Sequence, residues 1–202
     1  DAAKLRDTLL TFSTVAIDTE TTSIEAMTAK LVGMSFAVEG DRAWYVAVPR
    51  ETTSAQRMVE IFRPIFENEE ILKVGQNLKY DLTVLASYGI ELHAPMFDTM
   101  LAHYVVQPEL RHNMDYLAEI YLNYQTIHIE ELIGPKGRNQ KNMGDLSPAA
   151  ICDYACEDAH VTLQLKKPLE EEMEKNGVRR VFDEIEMPLM PVLARMERNG
   201  VC

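Results

Sequence analysis

The chain has 202 residues and a mass of 23.0 kDa, a length that suits one large domain or two small ones. Apolar residues make up 47% and charged residues 26%, which excludes disordered, fibrous and disulfide-scaffold proteins. The 32 acidic residues outnumber the 20 basic ones, and the net charge of -12 opposes nucleic-acid binding by a freestanding domain that relies on charge neutralisation.

The cysteine content and hydropathy predict a cytoplasmic protein with no membrane partner. Three cysteines, two of them at 152 and 156, are typical of a reducing compartment. No apolar run approaches the roughly 20 residues of a membrane span, and the start of the chain lacks a signal peptide. Because the chain starts at Asp1 and stops within a continuing pattern, we interpret it as a piece of a longer protein whose basic surface lies elsewhere.

The first half of the chain predicts a sheet with covering helices. Segments 13–18, 31–38 and 42–48 have the β-branched and alternating patterns of strands in an antiparallel meander. From Ser54 apolar residues recur at three- and four-residue spacing, which predicts an amphipathic helix with Ser54 as N-cap. A short apolar run, 71–75, then predicts a buried strand.

The second half is predicted to be mainly helical. Helical spacing covers 77–88, 98–106 with an aspartate cap, 114–122, and the stretch from Ser147 onward. The segment 134–144 is polar, rich in glycine and basic, and predicts a mobile loop. The simplest organisation is one α/β domain.

Two pairs of polar residues are spaced to share a face. Asp18 and Glu20 end the first strand two residues apart, so both side chains leave one side of the sheet if the extended conformation continues. Asn77 and Asp81 are four residues apart on the predicted helix. When each pair is taken alone, a polar strand end is the alternative explanation of the first pair and an exposed polar helix face that of the second.

A third pair, Tyr154 and Asp158, lies on the last long helix at the same four-residue spacing. Cys152 and Cys156 are offset by about 200° around that helix, so we interpret them as packing residues. A zinc face of these cysteines with His160 lacks a fourth ligand and the usual ligand spacing.

Four carboxylates on converging elements predict a divalent metal site. Hydrolysis of a phosphodiester by two metal ions requires hard oxygen ligands and a bridging carboxylate. Without metal, such acids raise one another's pKa values, so Mg²⁺ or Mn²⁺ is expected to bind with proton release and to stabilise the fold.

The three motifs resemble those of the DEDD exonuclease superfamily in its tyrosine-bearing branch. They read Val15-Ala-Ile-Asp-Thr-Glu-Thr21, Val74-Gly-Gln-Asn-Leu-Lys-Tyr-Asp81 and Tyr154-Ala-Cys-Glu-Asp158. Further segments, among them Phe97-Asp-Thr-Met-Leu and Arg111-His-Asn-Met-Asp, resemble the proofreading domain of bacterial DNA polymerase I over nearly the whole chain.

The resemblance implies an RNase H-like fold, a mixed five-stranded sheet flanked by helices, and 3'-5' exonuclease activity on DNA. It implies that Asp18 bridges two metal ions, that Glu20 and Asp158 bind one of them, and that Asp81 binds the other, largely through water. Tyr154 is expected to orient the attacking water, and the product is a deoxynucleoside monophosphate.

The same resemblance implies contacts with a single-stranded DNA 3' end. Arg111 matches a basic residue near the bound strand, and Ile24 matches an apolar residue near the terminal base. The alternatives are that Arg111 is a solvated surface residue and that Ile24 packs in the core. Ile129 replaces an aromatic residue of close relatives, which leaves no stacking ring there. The expected substrate-binding set is Thr19, Thr21, Ile24, Asn77, Tyr80 and Arg111.

The domain organisation implied is an exonuclease domain at 1–183 and the truncated start of a polymerase domain at 184–202. The polymerase domain of the same full-length chain is the expected partner, the protein is expected to be a monomer, and its location is the bacterial cytoplasm at the nucleoid. A catalytically inert module of a polymerase, an exoribonuclease with the same residues and an acidic interaction domain are the alternatives.

Overall fold

The computed structural model describes residues 1–200 and contains a mixed sheet with helices on both faces. The strands are β1 (Thr14–Thr21), β2 (Leu31–Val38), β3 (Arg42–Ala47), β4 (Leu72–Gly75) and β5 (Met96–Asp98). Their order is β3-β2-β1-β4-β5, antiparallel among the first three and parallel from β1 to β5. The predicted meander and the five-stranded mixed sheet are confirmed.

Helices follow the predicted positions in most of the chain. They are α1 (Ala2–Leu9), α2 (Thr52–Phe66), α3 (Leu78–Ser87), α4 (Thr99–Val106), α5 (Met114–Leu117), α6 (Ile129–Ile133), α7 (Pro148–Asn176), α8 (Arg179–Val181) and α9 (Met187–Arg198). Ala118–Leu122 and Phe182–Glu186 form π-helical turns, and Met143–Asp145 a 3-10 turn. No helix in the described part has the length and apolar character to cross a membrane. Sequence patterns missed α1, α6 and β5.

Alternation along β1 divides the core into two layers. Val15 and Ile17 are buried with residues of α2, α3 and α9 on one face of the sheet. Ala16 is buried on the other face, against α4 and the long helix α7. The tail helix α9 belongs to the first layer through Met190 and Ala194, which are 3% and 2% exposed.

The start of α2 differs from the prediction. Its N-cap is Glu51, not Ser54, because the chain is still extended at Glu51 and its carboxylate reaches the first turn. That carboxylate accepts hydrogen bonds from the amides of Thr53 and Ser54 at 2.8 and 2.7 Å. The Ser54 side chain, followed by these two amides, lowers the pKa of Glu51 to about 2. The predicted start of α7 near Ser147 is confirmed: the helix begins at Pro148, and the Ser147 side chain accepts from the amide of Ala150.

A single buried carboxylate caps two helices. Asp98 accepts from the amides of Met100 and Leu101 at the start of α4, at 2.8 and 3.1 Å. It also accepts from the amides of Leu78 and Asn77 at the start of α3, at 2.7 and 3.2 Å. Asp98 is the last residue of β5, so these hydrogen bonds fix the first turn of α3 against the sheet.

Candidate active site

The site is built where β1 ends. The strand stays extended through Thr21, so Asp18 and Glu20 leave the same face of the sheet as Ala16. Glu20 is 6% exposed and Asp18 is half-buried. This shared face is the one that α7 covers, so the two acids lie between the strand end and that helix.

The long helix α7 brings the third carboxylate to the same place. Asp158 is 6% exposed, and one oxygen from each of Asp18, Glu20 and Asp158 lies within 4.8 Å of the others. Tyr154, one turn earlier on α7, interacts with Asp158 through its hydroxyl. The predicted shared face of Tyr154 and Asp158 is present in the structure.

The fourth acid reaches the cluster from the opposite layer. Asp81 lies in the first turn of α3, which packs on the Val15 side of the sheet. Thr19 also points to that side, and its hydroxyl donates a 2.6 Å hydrogen bond to Asp81 Oδ1. Asp81 is 2% exposed, and the charge of Asp18 contributes to raising its pKa. The four carboxylates thus converge on one strand end from both faces of the sheet.

Burial and mutual repulsion dominate the electrostatics of this cluster. Burial raises the pKa of Asp18 to about 6. Burial, followed by the charge of Asp18, raises the pKa of Asp158 to about 9. The pKa values of Glu20 and Asp81 are raised by the same two causes. In the absence of a cation, the cluster therefore holds protons at neutral pH.

The carboxylates fit a divalent cation. Glu20 Oε1 and Asp158 Oδ1 are buried and have no hydrogen-bond partner among residues 1–200. Burial of a carboxylate oxygen without a hydrogen-bond donor lowers the stability of the folded protein, and a bound cation offsets that loss. The donor set consists of hard oxygens, which suits Mg²⁺ or Mn²⁺ rather than a thiolate-bound metal. In the described chain, this is the one group of three or more such side chains close enough to share an ion.

Tyr45 forms one wall of the site, a role that the sequence patterns did not reveal. Its ring lies over Gly33, which pairs with Glu20 across β1 and β2. A Cβ atom at Gly33 would be 2.1 Å from Tyr45 Cε2, so only glycine leaves room for the ring. Tyr45 packs in a small apolar cluster with Ile151 and Tyr154, and burial followed by the charge of Glu20 raises its pKa.

The loop after β1 carries the predicted apolar contact residue. Ile24 is 91% exposed, which excludes the alternative of core packing. Tyr80 on α3 anchors this loop, since its hydroxyl donates to the Ser23 carbonyl and is hydrogen-bonded to the Thr21 hydroxyl. Thr21 and Tyr80 therefore support the Ile24 loop from below, next to Glu20.

The remaining predicted substrate residues have different surroundings. Asn77 is left-handed and precedes α3, so the predicted shared helix face with Asp81 is wrong. Its side chain lines a cavity of about 250 Å³ together with Lys79 and residues of α9. Arg111 is exposed and lines a cavity of about 360 Å³ with Asp115, whose charge also raises the pKa of Asp158. Arg111 therefore shares a cavity with an acid whose charge acts on Asp158, and Asn77 is on the α9 side.

Comparison with known proteins identifies the family. A family described as 3'-5' exonuclease matches residues 1–174. The chain is 44% identical over 197 residues to DNA polymerase I of Pseudomonas aeruginosa, covering 92% of this chain and 21% of that protein. The chain belongs to the 3'-5' exonuclease family of DNA polymerase I. The DNA polymerase I of Rhizobium leguminosarum is 36% identical over 212 residues, covering 93% of this chain and 21% of that protein.

This exonuclease chain spans about a fifth of the length of the curated relatives it matches. Among solved structures, Brucella melitensis NrnC with bound Mg²⁺ superposes with a TM-score of 0.73 at 21% identity, covering 93% of this chain and 86% of that chain. Escherichia coli RNase D gives 0.71 at 20% identity, covering 96% and 48%. These likenesses confirm the RNase H-like fold.

The zinc alternative finds no support in the exonuclease fold. Cys152 and Cys156 interact with each other on α7, while His160 is paired with Gln164 at 2.7 Å and lies 3.7 Å from Asp41. Within residues 1–200, no set of three metal-ligating side chains includes them.

Proposed function

We propose that this chain removes nucleotides from the 3' end of single-stranded or frayed DNA by two-metal-ion hydrolysis, releasing deoxynucleoside 5'-monophosphates. The observation that carries the proposal is the group of three carboxylates, Asp18, Glu20 and Asp158, with one oxygen of each within 4.8 Å of the others. Two of these carboxylates, Glu20 and Asp158, each have a buried oxygen without a hydrogen-bond donor among residues 1–200. Membership of the 3'-5' exonuclease family supports the same reaction.

In this proposal the ligands are divided between two ions. Asp18 would be shared by both ions, and Glu20 and Asp158 would bind the first. Asp81 would bind the second ion, largely through water, because it approaches from the opposite layer and is held by Thr19. The ions are Mg²⁺ or Mn²⁺, as the oxygen donors favour.

Bound divalent ions supply Lewis-acid stabilisation of the charge that develops on the phosphate and on the leaving 3' oxygen. The side chains prepare the site for that reaction. Tyr154 orients the attacking water with its hydroxyl, and it stays protonated because burial and the charge of Asp158 raise its pKa. Tyr45 keeps bulk water away from Glu20 with its ring.

The substrate side of the proposal uses the surface around the carboxylates. Ile24 contacts the terminal base, supported by Thr21 and Tyr80. Arg111 contacts a backbone phosphate, and its exposure leaves its guanidinium free to do so. Thr19 contributes through Asp81, and Asn77 contacts the strand from the α9 side. Because the net charge is -12, binding rests on a few local contacts and is weak at high salt.

We also propose that residues 1–183 form the exonuclease unit and that 184–202 begin a polymerase domain. The match to the 3'-5' exonuclease family, which covers residues 1–174, supports this view. The polymerase part of the same full-length chain is then the partner that grips duplex DNA, and the protein is a monomer acting on the bacterial nucleoid in the cytoplasm.

The test is release of mononucleotides from a 5'-labelled single-stranded DNA in Mg²⁺. The intact chain is compared with Asp18→Ala and with an EDTA control, which guard against a contaminating nuclease. Shortening from the 3' end that is lost in both controls supports the proposal. No shortening by the intact chain at low salt, in Mg²⁺ or Mn²⁺, contradicts it and favours an inert module.

A separate assay tests the choice between DNA and RNA, because similarity of fold at 21% identity carries no information on the substrate. Matched DNA and RNA oligonucleotides of one sequence are digested side by side. The proposal expects faster digestion of DNA, and preference for RNA overturns it, because discrimination depends on how the 2'-hydroxyl is accommodated.

A further inference from the structure

Two histidines pair beneath the loop that carries Arg111. His103 lies on α4 and is fully buried, and its Nδ1 is 2.8 Å from Nδ1 of His112 in the loop. The ring centroids are 4.9 Å apart and the rings cross at 63°. The reaction proposed above makes no use of this pair.

The two rings are joined by a hydrogen bond in which the His103 ring is neutral. Burial, with a smaller effect of His112, lowers the pKa of His103 to about 4, so its ring is uncharged near neutral pH. At this distance one Nδ1 donates a proton and the other accepts it. Within the described residues, Nε2 of His103 has no partner, so His112 provides the hydrogen bond of this buried ring. An apolar side chain would fill the position at lower cost, which indicates that the contact with His112 is what the histidine contributes.

The main chain of the same loop is held by a second contact. The His112 carbonyl accepts a 2.7 Å hydrogen bond from Gln76 Nε2, at the end of β4. The Gln76 amide oxygen is in turn hydrogen-bonded by the Thr99 hydroxyl at the start of α4. The ring and the carbonyl of His112 are therefore fixed to the two elements that lie below the loop.

Arg111 immediately precedes the anchored His112 and, within the described residues, has no anchor of its own in the core. It is exposed and shares a cavity of about 360 Å³ with Asp115, which is close enough to Asp158 for its charge to affect the pKa there. An arginine on an unanchored loop loses loop and side-chain entropy when it binds a phosphate. A loop that is already fixed avoids much of that loss.

Building on the proposed function, we propose that His103 is a positioning residue that holds the 110–113 loop through His112, so that Arg111 is presented to the DNA backbone beside the carboxylates. The residue touches neither substrate nor metal. Its effect is expected on substrate affinity and not on the chemical step.

The test compares two substitutions with opposite consequences. His103→Phe keeps the ring volume and removes both nitrogens, and His103→Asn retains a polar group near the position of Nδ1 at the cost of a cavity. We expect His103→Phe to raise KM for a single-stranded oligonucleotide about 5- to 20-fold with kcat within about twofold. We expect His103→Asn to be less stable to heat and to keep KM close to that of the unchanged chain.

A cycle with Arg111→Gln separates positioning from general damage. His103→Phe should add little to Arg111→Gln, because both remove the same phosphate contact. Backbone hydrogen exchange at Leu110, whose amide donates to the Gln107 carbonyl at 3.1 Å, should accelerate in His103→Phe without faster exchange in the core of α7. Additive effects on KM, or unchanged exchange in the loop, overturn the inference.

Failure of the proposed function gives a different result. If the unchanged chain releases no nucleotide, binding of a fluorescent single-stranded DNA in EDTA replaces KM as the readout of affinity, and the exchange measurement stands unchanged. Equal DNA affinity and equal loop exchange in the His103→Phe variant would then refute the role of His103 independently of catalysis.

Discussion

The Thr19 hydroxyl, on the opposite side of β1 from Asp18 and Glu20, donates a 2.6 Å hydrogen bond to Asp81. This contact joins the two layers of the core at the site. It also gives the buried Asp81 carboxylate a donor in a cluster where other carboxylate oxygens have none. A strand residue between two metal-ligand candidates thus orients a third.

Thr19→Val is expected to weaken binding of one metal ion about tenfold and to lower the free energy of unfolding by about 1–3 kcal/mol, because Asp81 loses its donor. Thr19→Ser keeps the hydroxyl and should bind metal like the unchanged chain. Calorimetric titration with Mn²⁺ in the absence of DNA measures the affinity. Equal Mn²⁺ affinity in the valine and serine variants would show that Asp81 needs no help from residue 19.

The raised pKa values predict that the metal-free protein loses stability as pH rises. Asp158 titrates at about 9 in the folded protein and near 3.8 in the unfolded chain, and Asp18 at about 6. Between these values the folded protein holds protons that the unfolded chain has lost, so the free energy of unfolding falls with increasing pH. Thermal unfolding in EDTA should give a lower Tm at pH 8.5 than at pH 5.5.

Asp158→Asn provides the matched control, because the amide carries no charge at either pH. We expect this variant to show a smaller fall in Tm and to be more stable than the unchanged chain at pH 8.5 in EDTA. A Tm that rises with pH in the unchanged chain would contradict the assigned direction of the shifts.

Metal binding should release protons from the same cluster. At pH 7, Asp158 is protonated in the metal-free protein and must ionise to bind an ion, so we expect release of about one proton or more per chain. Titration calorimetry in buffers of different ionisation enthalpy measures this number. Release of no proton would mean that the acids are already ionised.

Much of this architecture is readable from the sequence because local patterns decide it. The strand at 31–38 and the start of α7 near Ser147 follow from the residue pattern and from Pro148 at the first helical position, and the structure has both. The spacing of two in a strand put Asp18 and Glu20 on one face. The resemblance to the exonuclease motifs, and not the spacing, implied that Asp158 joins them, and the structure brings the three together.

Local sequence patterns could not predict the contacts between segments that are distant in the chain. Nothing local in Gly33 or Tyr45 reveals that the ring of one covers the backbone of the other, since the pairing of β2 with β3 creates the contact. The left-handed conformation of Asn77 likewise depends on Asp98, which lies 21 positions further along the chain and whose carboxylate accepts a hydrogen bond from the Asn77 amide. The helix spacing at 77 therefore gave the wrong face.

Gly33→Ala tests the wall formed by Tyr45. The new Cβ would lie 2.1 Å from Tyr45 Cε2, so the ring must leave its place beside Glu20. We expect the free energy of unfolding to fall by about 1–3 kcal/mol. In a Tyr45→Ala background the same change should cost much less, because the clash is gone. Urea denaturation measures both, and an equal cost in the two backgrounds would exclude the ring as the cause.

Tyr154→Phe separates orientation of water from metal binding. In the proposed reaction the Tyr154 hydroxyl orients water and binds no ion, so we expect Mn²⁺ affinity to be unchanged and kcat on single-stranded DNA to fall about 10- to 100-fold. Tyr121→Phe is the control, since Tyr121 lines a different cavity, together with His160 and Lys167. Similar losses of kcat in both variants would argue against a specific role for Tyr154.

Ile24→Ala tests whether the exposed loop residue contacts DNA. With 91% of its surface exposed, Ile24 contributes little to the core, and its loss should change the free energy of unfolding by less than about 0.5 kcal/mol. A stacking or wedging contact with the terminal base predicts a rise in KM for single-stranded DNA of about 3- to 10-fold. Ile185→Ala removes the same atoms from a residue that is 55% exposed near α9, and it should leave KM unchanged. If both variants raise KM equally, the rise comes from loss of any exposed apolar side chain, and a specific contact between Ile24 and DNA is excluded.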